Sequence, residues 1–290
     1  SAWEQTVAKL EAALEENRFV ECGASQEKAV GWTAPRGDEH GPLVEVVAGQ
    51  WILKLMVEVK VLPGTVVKRK AEEQIQHIEA TTGRKPGKKE SREIREDARL
   101  ALLPLAFTKQ STVLVWIDPQ AKTLVLSAGS QARADEVMTC LIKAMDGLSV
   151  QLINTQMSPA AAMSVWLSTK EAPQSFSVDR ECELKAADES KAVVRYTRHP
   201  LDTDEVSQHI ANGKVPTRLA MTWNDHVSFV LTEALQLKKV AVLDVVFEGA
   251  GAAGDGKEDE FDTDVAIATG ELRKLIPDLL DALGGEVVPA

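Results

Sequence analysis

LPGTVVKRKAEEQIQHIEATTGRKPGKKESREIREDARLALLPLAF, residues 62–107, is the stretch whose reading decides the fold. Val67, Ala71, Ile75 and Ile78 recur at helical spacing in its first half. Ile94, Ala98, Ala101, Leu102 and Leu105 recur in the same way in its second half. Gly83, Pro86 and Gly87 interrupt the pattern between them. The spacing predicts two helices folded back on each other, each with an apolar stripe wide enough only to zip one arm to the other. The remaining positions are charged, so the hairpin is expected to project from the body.

Its charge sets the functional question. Residues 63–107 hold ten cations against seven anions, a net +3 in a chain of net charge −11. Arg84, Lys85, Lys88, Lys89 and Arg92 crowd the turn, with Glu90 as their only acid, and Lys68, Arg69 and Lys70 form a second basic run. A basic tip on an acidic protein points to an anionic partner, and a phosphate backbone is the commonest one. An ordinary solvated face is the competing reading of any such run.

The 290 residues suffice for one large domain or two modest ones. Composition is that of a globular chain, with no apolar run near the length of a membrane span and no secretory signal pattern. Cys22, Cys140 and Cys182 are isolated, which argues against a disulfide frame or a zinc site and fits a reducing, cytoplasmic setting. The overall acidity disfavours indiscriminate nucleic-acid binding over the whole surface. Any such contact should be local.

Working outward, residues 3–17 read as an amphipathic helix and Gln50–Leu62 as a strand. Gly31 to Pro35 and the RGDEHGP that follows read as a loop. After the hairpin, Thr112–Asp118 and Lys122–Ala128 form a β-hairpin, followed by a helix over 131–146 and another over 158–167. A strand at 191–198, a helix at 202–212 and strands at 215–223, 226–232 and 237–247 come next, with Asn224-Asp225 as a tight turn. An acidic, Gly-rich loop at 249–264 leads to a last helix at 269–283. Without βαβ alternation the fold class is α+β: antiparallel sheets with packed helices and a projecting helical hairpin. The expected domains are 1–62 and 108–150 as a central domain, 63–107 as the tip, and 151–290 as a base.

The search for chemistry is mostly negative. Gly249 to Gly254 fits GxGxxG, but the acidic residues that follow would repel a pyrophosphate. Gly83 to Lys88 is one residue too short for a P-loop and follows a helix rather than a strand. The five histidines show no ligand spacing, and no nucleophile elbow is present. No catalytic residue, metal site or cofactor is assigned. Arg198-His199, before a helix, offers two phosphate donors, although an ordinary loop explains the pair as well. Phe107 is either a core aromatic at the base of the hairpin or an exposed aromatic that contacts nucleic acid beside Lys109.

Several motifs together resemble one family. Lys60-Val61-Leu62-Pro63, the basic hairpin and Leu102-Leu103-Pro104-Leu105-Ala106-Phe107 are similar to the bacterial recombination-associated RdgC family. So are Gly31–Pro35, Val115-Trp116-Ile117-Asp118, His209–Val215, Thr269-Gly270-Glu271-Leu272 and Leu283-Gly284-Gly285-Glu286, in the family's order. The resemblance implies a ring-shaped homodimer that surrounds double-stranded DNA with little sequence preference and restrains RecA-promoted strand exchange. It implies a nucleoid-associated, non-enzymatic protein without a membrane segment. It places Phe107 on the family's aromatic and Arg198-His199 on a polar, basic pair that contacts DNA, whereas Leu105 stands where the family often has Arg. The family also opens with an aromatic-rich strand that this chain, beginning Ser1-Ala2-Trp3, does not show. A protein-interaction or dimerisation module, its basic hairpin meeting an acidic protein surface, is the alternative.

Overall fold

The structure, a computed structural model, describes residues 6–145, 147–249 and 257–287. The chain forms two compact units, Ser1–Ser149 and Val150–Ala290. Each is an antiparallel sheet with helices on one face.

In the first unit the sheet runs β1 (Lys28–Thr33), β3 (Gln50–Val61), β4 (Phe107–Asp118) and β5 (Thr123–Leu126), with β2 (Glu45–Val47) also on β3. Alternation decides which side is covered. Trp51, Leu53, Leu55 and Val57 on β3 and Val113, Val115 and Ile117 on β4 pack with Leu10 and Leu14 of α1 (Val7–Glu15) and Val137 and Leu141 of α4 (Gln131–Ala144). Thr6 and Ser130 cap these helices, each accepting a backbone N–H from the first turn. The Glu11 carboxylate ties α1 to the approach to β2, accepting the amides of Leu43 and Val44 at 2.8 and 2.7 Å.

One expected loop is a strand. Gly31, Trp32 and Thr33 lie in β1, and Trp32 is buried in the core. Gly31 is glycine for steric reasons: a Cβ there would sit 2.4 Å from the Cα of Phe19, whose main chain runs alongside the strand and is bonded to Trp32. On the sheet's other face Glu58 is also buried and accepts the Cys22 amide at 2.8 Å. That bond and one from Thr108 hold its carboxyl below the usual value.

Between β3 and β4 the expected hairpin is present as α2 (Gly64–Thr82) and α3 (Lys88–Leu102). Gly83 ends α2 in the left-handed conformation (φ 66°), where glycine carries no Cβ penalty. The hairpin's buried core is Val67, Ala71, Ile94 and Ala98, with Leu62, Ile75, Ile78 and Leu102 partly buried around it. Ala101 and Leu105 depart from the expected stripe. A 3₁₀ turn over Leu103–Leu105, with Pro104 inside it, shortens the period, burying Leu103 and turning Leu105 outward.

In the second unit the sheet order is β10 (Leu237–Val242), β9 (Val227–Thr232), β8 (Lys214–Trp223), β6 (Phe176–Ala186) and β7 (Val193–Thr197). Its core joins Leu184, Leu219, Met221, Phe229 and Leu231 to α5 (Pro159–Thr169), α6 (Asp204–Ala211) and α8 (Lys257–Ala282) through Met163, Trp166, Val206, Leu275 and Leu279. Asn224 and Asp225 both have positive φ, 46° and 56°, as a type I′ turn between antiparallel strands requires. The expected strand at 237–247 stops at Val242 and gives way to α7 (Asp244–Gly249). The last helix begins at Lys257 rather than 269, so much of the expected acidic loop is helical. Of the GxGxxG stretch, Ala250 to Gly254 lie outside the described residues, and α7 rather than a strand precedes them.

Candidate nucleic-acid interface

The two basic runs fall on the two hairpin helices and their turn. Lys68, Arg69 and Lys70 are on the first turns of α2, and Lys88, Lys89 and Arg92 open α3. Lys68 and Lys70 make loose contacts along their own helix, to Glu72 at 3.7 Å and Glu73 at 3.6 Å. Such exposed pairs contribute little to stability. Arg84 differs. Its guanidinium grips Glu90 with a fork of 2.9 and 3.0 Å, which raises Arg84 above its ordinary value and holds Glu90 below its own. Arg84 therefore closes the turn, while Lys85, Lys88, Lys89 and Arg92 have no ion pair among the described residues.

At the other end of the hairpin, Phe107 opens β4 opposite Val61 and is 86% exposed. A core role for it is thereby excluded. Leu105 beside it is 78% exposed, so the hairpin returns to the sheet through an apolar projection. Lys109 is exposed two residues along β4, opposite Val59, and so shares a sheet face with Phe107. Farther along that face Arg133 of α4 donates to the Ser111 hydroxyl at 3.3 Å while paired with Glu136 at 2.7 Å. Phe107 and Lys109 thus form one small site, with an aromatic beside a cation.

Arg198 and His199 belong to the second unit, immediately after β7, and both are exposed. Arg198 has φ 56°, a left-handed turn that redirects the chain. The His199 amide then donates to the Arg180 carbonyl at 3.1 Å. The His199 ring stands 5.3 Å from that of Tyr196, and its Nδ1 lies 2.6 Å from the Pro200 carbonyl, which can only accept. The pair is therefore a structured turn, and the Arg198 side chain has no ion pair among the described residues.

Arg95 and Arg99, not among the sequence candidates, are also exposed on α3. Their spacing from Lys88 and Arg92 puts the four on one flank once the helix frame is fixed. Arg99 reaches outside the hairpin to Glu27 at 2.6 and 2.7 Å. Among the described residues no group of three or more His, Cys, Asp or Glu is placed to hold a metal ion. The three cysteines are free, and burial pushes the Cys182 thiol up to about 12. No helix is long and apolar enough to cross a membrane among the described residues.

Comparison with known proteins agrees with the motifs. A family model described as "Putative exonuclease, RdgC" matches residues 1–286. The recombination-associated protein RdgC of Dechloromonas aromatica (strain RCB) is 43% identical over 291 residues, covering 99% of this chain and 95% of the relative. The protein of that name from Cupriavidus pinatubonensis is 44% identical over 284 residues, with 98% and 94% covered. That from Bordetella pertussis is 46% identical over 259 residues, with 89% and 86% covered. The chain belongs to the RdgC family.

Proposed function

We propose that this chain binds duplex DNA without sequence preference, as a ring-shaped homodimer that encircles the helix and restrains RecA-promoted recombination in the nucleoid. The observation that carries the reading is a charge imbalance. A chain of net −11 concentrates on one hairpin cations that have no ion pair among the described residues, and at its base an aromatic stands 86% exposed beside Lys109. Cations without partners of their own neutralise phosphates and release condensed counterions, which supplies affinity without reading base edges. Phe107 adds a face on which a base or sugar edge can stack. The reading is non-enzymatic: duplex incubated with the protein and magnesium should be recovered at full length. Progressive shortening from its ends would support an exonuclease instead.

The test is retention on closed circular against linear duplex after a salt challenge. Log affinity should fall linearly with log salt, by about 0.9 per phosphate neutralised. The circular complex should outlast the linear one, from which a ring can slide. Salt-insensitive binding or a strong preference for one sequence contradicts the reading, and equal release from both duplexes contradicts the ring. A protein-docking role is favoured by one observation, the exposed apolar pair Leu105 and Phe107. It predicts that Phe107→Ala disrupts the oligomer in solution while leaving the salt slope unchanged.

A further inference from the structure

The charge on α3 is sorted by side. Lys88, Arg92, Arg95 and Arg99 follow one another at steps of four, three and four residues, which places them along one flank. Glu90, Glu93 and Asp97 follow at steps of three and four along the other. The buried stripe of Ile94 and Ala98 runs between the two rows. On the cationic side two shallow depressions lie end to end. One is bordered by Lys68 of α2 with Arg95 and Arg99, the other by Lys88, Ser91 and Arg92, and Arg95 borders both. Glu96 also borders the first, so this flank is not free of acid.

Ion pairing divides the cations further. Arg99 is held by Glu27 and Arg84 by Glu90. Lys88, Arg92 and Arg95 have no ion pair among the described residues. From Lys88 to Arg95 the helix rises about 10 Å at 1.5 Å per residue, far enough for the three cations to reach more than one phosphate. An arginine fork suits a phosphate's oxygens, and Ser91 supplies a hydroxyl between the cations whose present bond, to the Pro86 carbonyl, is a long 3.5 Å. The acidic row on the far side lies within about one Debye length, roughly 8 Å, of anything bound against it, and would repel a phosphate backbone there.

We infer that the α3 flank bearing Lys88, Arg92 and Arg95 is the hairpin's phosphate-binding face, and that the flank bearing Glu90, Glu93 and Asp97 turns away from nucleic acid. This rests on the duplex-binding reading and sharpens it. Arg95 becomes a contact residue, while Arg84, held by Glu90, and Lys70, in contact with Glu73, do not. The test compares two double variants of the full chain, each losing two positive charges at exposed positions: Arg92→Gln with Arg95→Gln, and Lys70→Gln with Arg84→Gln. Circular dichroism should show both folded. On a short duplex of mixed sequence, the first should lower the slope of log affinity against log salt by up to about 1.8, two phosphates' worth, and the second should leave it unchanged. Equal losses in both, or no loss in the first while the unsubstituted protein binds, overturn the inference. Absence of salt-dependent binding by the unsubstituted protein overturns the duplex-binding reading itself, so the two failures are told apart.

Discussion

Two pairs of neighbouring antiparallel strands are joined in opposite ways. β8 and β9 turn over in three residues, Asn224 to His226, the first two with the positive φ that matches strand twist. β3 and β4 are just as directly paired, from Trp51 with Ile117 to Val61 with Phe107, yet residues 62–106 stand between them. The second sheet shows that such a pair needs no insertion. The hairpin between β3 and β4 is thus not a requirement of the sheet, and its surface is free to carry charge. Its core accords with this, holding four buried side chains where the first sheet's core holds fifteen.

That comparison can be broken in steps. Leu55→Ala, in the fully packed first core, should cost about 2–5 kcal/mol and lower the Tm of the first unit. A smaller loss would mean that the sheet core is less tightly packed than described. Ile94→Ala should cost about 2 kcal/mol, and hydrogen exchange should show the loss confined to α2 and α3. Faster exchange spreading into β3 and β4 would mean that hairpin and sheet fold as one. Asp225→Gly should stabilise the second unit by about 0.5 kcal/mol, because glycine relieves the left-handed position in the tight turn. A destabilised variant would indicate that the Asp225 side chain contributes something the turn geometry does not require.

The parts that were legible in the sequence are those where one period runs without interruption. α2, α3 and β3 follow from their spacing, and the β8–β9 turn from its two residues. β6 escaped because its ladder to β8 shifts register between Val178 and Cys182, so the apolar alternation changes phase around Asp179, Arg180 and Glu181. β1 escaped because Gly31 reads as a turn, whereas its role is to let the Phe19 main chain pass. The start of α8 was hidden by acids that suit a helix N-terminus but resemble a solvated loop. At the candidate site, composition identified the basic turn but not its partition. Arg84 counts as a cation in any census, yet the fold commits it to Glu90, while Arg95 gains weight from the side it occupies. Whether Phe107 was core or exposed could not be decided from a run of apolar residues. The 3₁₀ turn over Leu103–Leu105 settles it.

The most direct test removes what distinguishes the two strand pairs. Replacing residues 62–106 with Asn-Gly would join Val61 to Phe107 through a tight two-residue turn, as short a link as antiparallel neighbours need. The shortened chain should fold cooperatively with both sheets intact by circular dichroism, and it should lose salt-dependent binding to duplex DNA. Duplex binding equal to that of the full chain, with an unchanged salt slope, would contradict the account.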